Sequence, residues 1–160
     1  MTLYTIGYEG LSTDAFMALL EQHGIEVVVD IRALPLSRKP GFSKKALAQW
    51  LDLAGFAYRH VAALGCPKPV RDAYREDGNW QRYTQGFSRH LDGQAEALQD
   101  VAALARGSRC ALLCFEADAN FCHRSLVAQA IHEADGLLVR HIRQTGVKTN
   151  QPAGFSALAA

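Results

Sequence analysis

The 160-residue chain contains no hydrophobic run approaching the roughly 20 residues of a membrane-spanning helix. Nor does it open with the basic start, apolar stretch and small-residue cleavage site of a secretory leader; Met1 runs straight into "LYTIGY". The expectation is a cytoplasmic protein with no membrane partner. Neither G-x(4)-G-K-S/T nor G-x-G-x-x-G occurs, which removes the P-loop and dinucleotide-fingerprint routes to a nucleotide. A cysteine-dependent phosphatase loop needs Cys, five residues and Arg. Here nine residues separate Cys114 from Arg124, so that cradle is the wrong size. There is no internal repeat, no low-complexity segment and no linker strong enough to divide the chain. Net charge is nearly absent too, at +1.

That small net charge hides an uneven distribution. Residues 1–31 carry five acids and no Lys or Arg, whereas residues 32–75 carry nine bases and two acids. A basic middle segment suits an anionic ligand, although a solvated positive surface has the same composition. With 49% hydrophobic and 21% charged residues, the chain has the makings of one soluble globule with a sizeable core. Four cysteines in a cytosolic chain are expected as thiols rather than disulfides.

Periodicity organises the rest. "LYTIGY" (3–8) reads as a strand. "STDAFMALLEQHG" follows as a helix that Ser12 or Thr13 caps, with Phe16, Leu19, Leu20 and His23 on one face. "IEVVVDIR" (25–32) is a β-branched run suited to a strand buried on both faces. "ALPLSRKPG" is a loop. Ser43 caps a helix with Leu47, Trp50, Leu51 and Ala54 on one side, and "FAYRHV" (56–61) is a third strand. Residues 69–106 are largely helical, "RCALLCFEA" (109–117) is a fourth strand, residues 120–135 a helix, and "LLVRHI" (137–142) a last strand. This alternation predicts an α/β fold: one three-layer domain over residues 1–143, with a mostly parallel sheet of about five strands and helices on both faces. Residues 144–160 read as a C-terminal tail, frayed or docked.

In open sheets of this kind, ligands sit beyond the carboxyl ends of the strands. The polar, non-periodic residues of this sequence fall there. Tyr8 and Glu9 follow the first strand, and Asp30, Arg32, Ser37 and Arg38 follow the second. "CFEADANFCHR" (114–124) follows the fourth, with Cys114, Glu116, Cys122, His123 and Arg124. Three distant segments converge on one rim. Each residue also has a plain structural reading, as a turn former, an ion pair or a packed side chain.

His123 opens an apolar stripe with Leu126, Val127, Ala130, Ile131 and Ala134, so it points inward and needs a ring partner, Asp30 or Glu116. Arg124 lies nearer the mouth, beside free N–H groups of a helix start, and suits a phosphate or carboxylate. Cys122 at that same start is the better candidate nucleophile, because the position favours a thiolate. Cys114, Cys122, His123 and Glu116 offer metal ligands. However, the paired cysteine knuckles of a closed zinc site are missing, and adjacent helical residues project about 100° apart. No metal and no cofactor are expected.

Five stretches carry a resemblance: "YTIGYEG", "VVVDIRALPLSRKPGFS", "YRHVAALG", "LLCFEADANFCHRSLVA" and "VRHI", spanning residues 2–143. In this order they resemble the domain-of-unknown-function family numbered 488. The resemblance implies a compact three-layer α/β domain and no established activity. Its signature positions here are Gly7, Asp30, Arg32, Pro35, Ser37, Arg38, Phe42, Leu64, Gly65, Cys114, Glu116, Cys122, His123 and Arg124.

The expected function is binding, or acting on, an anionic and phosphate-bearing ligand such as a nucleotide or a nucleic-acid end. Arg32, Arg38 and Arg124 would hold the anion, with Tyr8, Glu9 and Ser37 around it. Asp30 or Glu116 would act as base or orient His123, which would move protons. The alternative is a non-catalytic nucleic-acid-binding module built on the basic 32–75 segment, with Trp50, Tyr58 and Tyr74 stacking on bases.

Overall fold

The computed structural model describes residues 1–144. Five strands, β1 (Thr2–Gly7), β2 (Val27–Asp30), β3 (Ala57–His60), β4 (Cys110–Cys114) and β5 (Leu138–His141), form one all-parallel sheet in the order β3-β2-β4-β1-β5. Six α-helices connect them: α1 (Thr13–Gln22), α2 (Lys44–Leu53), α3 (Lys68–Asp77), α4 (Trp80–Asp92), α5 (Ala95–Gly107) and α6 (His123–Asp135). The expected three-layer α/β architecture is what the chain adopts. The C-terminal tail, from residue 145 onward, lies outside the described residues.

The core is built by strict alternation along the strands. Tyr4, Ile6, Val28, Ala111 and Leu113 face one way, onto Phe16, Leu19 and Leu20 of α1 and Leu47 and Leu51 of α2. Leu3, Val27, Val29, Cys110 and Leu112 face the other way, onto α4, α5 and α6 through residues such as Phe87, Val101 and Val127. The central β2 and β4 are buried at every position, which is why they read as unbroken apolar runs. Edge strands β3 and β5 instead alternate between exposed and half-buried residues. The Ser12 hydroxyl caps α1 by accepting the Ala15 N–H at 3.1 Å.

The sheet order positions the site. After β1 and β2 the chain turns to the face of α1 and α2; after β4 it turns to the face of α6. The loops that follow these neighbouring strands therefore separate at the carboxyl edge and leave a crevice between them.

One helix starts later than its sequence suggests. The Asp118 carboxylate accepts the Asn120 N–H at 2.9 Å and folds Ala119–Phe121 into a single 3-10 turn. The α-helix then begins at His123, with Cys122 as its extended N-cap. Its buried positions are Arg124, Val127, Ala128 and Ile131. The buried stripe is thus turned from the expected one, and Ala134 is exposed. An arginine sits where periodicity alone places solvent.

Candidate functional site

A pocket of about 560 Å³ opens at the carboxyl ends of the strands. Its walls come from Tyr8 after β1, the Arg32–Arg38 loop after β2, and Cys114, Phe115 and Glu116 after β4. Arg71, Tyr74 and Arg75 of α3, with Trp80 and Tyr83 of α4, form the opposite wall, and His123 lies at the start of α6.

Asp30 and Arg32 make a closed unit under one side. Asp30 is fully buried, and Arg32 is 6% exposed. The guanidinium Nε and Nη2 donate to the two carboxylate oxygens at 2.9 and 2.7 Å, a bidentate pair. Arg32 Nη1 also donates to the Phe42 carbonyl at 2.6 Å and to the Tyr8 hydroxyl at 3.2 Å. The Tyr58 hydroxyl donates to Asp30 at 2.6 Å. Burial by itself pulls the Arg32 pKa down, but the hydrogen bonds and charge of Asp30 more than reverse this, and the net shift is upward.

Arg124 makes the second buried centre. It is completely enclosed, and its Nε donates to the Thr5 hydroxyl at 3.2 Å. Nη2 donates to the Ala117 carbonyl at 3.2 Å, and Nη1 makes a short bond to the Glu116 carbonyl. Burial draws its pKa down to about 10, against the opposing pull of Glu116, Asp118 and Glu9. Gly7 makes room for this arrangement, since a Cβ there would overlap the Glu116 carbonyl oxygen. The Glu116 side chain lines the pocket, and burial raises its pKa above the usual carboxylate range.

Between these centres lie Cys114, Cys122 and His123. The expectation of four thiols is corrected here. Cys66 and Cys110 are free, but Cys114 and Cys122 form a disulfide, because the end of β4 and the N-cap of α6 bring their sulfurs together. Cys122 in this state offers no free nucleophile. The His123 Nε2 lies 2.8 Å from the Ile31 carbonyl, so its ring partner is backbone, not Asp30 or Glu116. Its Nδ1 is 3.9 Å from each sulfur. Burial pushes the imidazole pKa down to about 4, leaving it neutral near pH 7.

The structure thus places Asp30, Arg32, Tyr8, Glu116, Cys122, His123 and Arg124 around one crevice, with Asp30, Cys122 and Arg124 beneath its surface rather than on it. Ser37 and Arg38 line the pocket. The Ser37 hydroxyl accepts the Lys39 N–H at 3.1 Å. Glu9 stands outside the lining and is exposed, and its carboxylate accepts the Ala117 N–H at 3.0 Å. On the α3 wall, sequence reasoning named Tyr74 only as a stacking residue of the nucleic-acid module and did not single out Arg71 and Arg75. Arg71, Tyr74 and Arg75 are spaced i, i+3, i+4, a one-face pattern that was legible in "RDAYR". Arg71 has a second distinction: its Nε is buried and has no hydrogen-bond partner among the described residues.

A comparison with family models matches residues 12–131 to "Domain of unknown function DUF488". The chain belongs to the DUF488 family. The matched span holds β2 to β4 and the first nine residues of α6, so this DUF488 protein carries most of its pocket wall within it. The "TIGY" and "VRHI" stretches flank the span. No curated protein and no solved structure matches the chain. No helix among the described residues is long and apolar enough to cross a membrane.

Proposed function

We propose that the pocket binds an anionic, phosphate-bearing ligand that also carries a flat ring, such as a nucleotide or a nucleic-acid end. The observation that carries this reading is Arg71. A buried guanidinium N–H without a partner costs on the order of 1–3 kcal/mol, and an oxyanion in the pocket would remove that cost. Arg38 and Arg75 stand on the same lining, whereas the charge of Arg32 is cancelled by Asp30. Arg38, Arg71 and Arg75 make no ion pair among the described residues, although Asp72 lies close enough to feel the charge of Arg71 and Arg75, and the lining they share holds a single carboxyl, Glu116. Tyr74 and Trp80 supply half-buried aromatic surface beside them, and the buried Tyr83 backs Trp80, stacked at 4.8 Å between centroids.

For proton transfer, Asp30 is occupied by Arg32 and Tyr58, which leaves Glu116 as the carboxyl able to reach a ligand. Neutral His123 serves as acceptor rather than as a cation for the anion. The nucleic-acid-module reading has less support. Trp50 Nε1 donates to the Gly41 carbonyl at 2.6 Å, and Tyr58 is held by Asp30, so two of its three aromatics are engaged inside the fold.

Calorimetric titration with inorganic phosphate, nucleoside mono- and diphosphates and a short oligonucleotide tests the reading. A nucleotide should bind more tightly than phosphate and change the Trp80 fluorescence. Arg71→Gln should weaken it by about tenfold or more, equivalent to about 1.4 kcal/mol, with an unchanged melting temperature. Failure of every phosphorylated probe to bind, or equal binding by Arg71→Gln, would sink it. Oligonucleotide binding that falls steeply with salt and ignores Arg71→Gln would favour the module instead.

A further inference from the structure

We propose that Cys114, Cys122 and His123, with both cysteines reduced, form a zinc site whose fourth coordination position faces the pocket. The two Sγ atoms and a ring nitrogen of His123 all lie within 4.8 Å of one another. The histidine is already oriented as a ligand. The Ile31 carbonyl can only accept a hydrogen bond, so Nε2, 2.8 Å away, carries the ring proton. Nδ1 therefore presents its lone pair toward the sulfurs, 3.9 Å from each. Support of one ring nitrogen by a backbone carbonyl is what metal-ligating histidines usually have.

The adjacency of Cys122 and His123 is no obstacle. Cys122 precedes the helix and has extended torsions, φ −132° and ψ 141°, so the divergence of successive helical side chains does not apply. The Cα atoms of the two cysteines are 7.5 Å apart, outside the roughly 4.4–6.8 Å of most disulfides. Tetrahedral zinc, with bonds of about 2.3 Å to sulfur, separates two thiolates by about 3.8 Å, which suits the wider spacing.

Two sulfurs and one imidazole are a borderline-soft set that zinc favours, and three protein ligands leave room for water. Cys114 and His123 line the pocket, as does Glu116, whose Oε2 lies 3.0 Å from Cys114 Sγ. The charges close as well. Two thiolates and Glu116 oppose Zn²⁺ and the guanidinium of Arg124, whose Nη1 is 3.9 Å from Cys114 Sγ.

The disulfide and the metal site share the same sulfurs and exclude each other. A dithiol reductant gives two electrons and two protons to the Cys114–Cys122 bond and itself becomes a disulfide. Zinc then displaces the two thiol protons to solvent.

The full-length chain, reduced by a phosphine and kept anaerobic, is titrated with zinc against a chromophoric chelator and separately with cobalt. One equivalent should bind, and cobalt should show thiolate charge-transfer and tetrahedral d–d bands. Cys114→Ser, Cys122→Ser and His123→Gln should each weaken zinc by at least about 10–100-fold, a loss known even for supporting residues, while Cys110→Ala leaves it unchanged. Oxidised protein should bind none. In the unmutated chain, zinc should protect Cys114 and Cys122 from alkylation, read by mass spectrometry, whatever the folding of the variants. No binding by the reduced chain, no protection, or full affinity in folded His123→Gln would overturn the proposal. No phosphate compound is present, so the result is independent of the anion-binding reading.

Discussion

Arg32 and Arg124 are both buried at the carboxyl edge of one sheet, yet their charges are held in opposite ways. Arg32 has its own carboxylate, in two-point contact, and the pair is electrically closed. Arg124 is held by a hydroxyl and two backbone carbonyls, while the nearby Glu116 side chain points to the pocket and Cys114. Asp30–Arg32 therefore fixes the loop after β2 and adds little field beyond itself. Arg124 clamps the loop after β4 and leaves its positive charge acting on the sulfurs, Glu116 and His141. One arginine is scaffold alone; the other is scaffold and a source of potential beneath the pocket.

The largest effect should come from opening the closed pair. Asp30→Ala leaves Arg32 buried without its counter-charge and should destabilise the fold by about 3–5 kcal/mol in urea denaturation. Adding Arg32→Met to that variant should recover a large share of the loss; no recovery would show that Asp30 acts mainly through Tyr58. Arg124→Met should cost less, about 1–3 kcal/mol, because the carbonyls of Glu116 and Ala117 sit near the surface and can regain water. An equal or larger loss than in Asp30→Ala would break the contrast.

The smallest effect sharpens it. Burial, and then the charge of Arg124, hold the His141 imidazole below its ordinary pKa. The sign follows from linkage. The unfolded chain takes up this proton at a higher pH than the folded one, so His141 lowers stability as pH falls below about 6.5. Arg124→Met should raise the His141 pKa in an NMR titration, whereas Arg32→Met should leave it in place. His141 Nδ1 also shares a 2.6 Å hydrogen bond with Thr5, the hydroxyl that holds Arg124, so both variants are read against that contact.

The layers and the place of a pocket at the strand ends were legible because they rest on repeated signals. β2 and β4 are apolar at every position, the helices carry clear stripes, and Tyr8, Arg32 and Glu116 stand at successive strand ends. What escaped depended on single tertiary contacts. Arg124 shares a stripe with Val127 and Ile131, but an arginine there is recognised only once Thr5 and two carbonyls are in reach. The late start of α6 depends on the Asp118 side chain. The disulfide needs the end of β4 beside that N-cap. Arg71 had a pattern to betray it, but "PVRDAYRED" is so polar that it reads as a solvated helix.

That polarity has a further consequence. α3 buries none of its ten residues completely, and its Tyr74 leans on Trp80 and Tyr83 of α4, at 5.8 and 5.1 Å between ring centroids. It is a roof resting on its neighbour more than on the foundations. A guest that grasped Arg71 would tie that roof to the floor and complete the architecture of its own chamber.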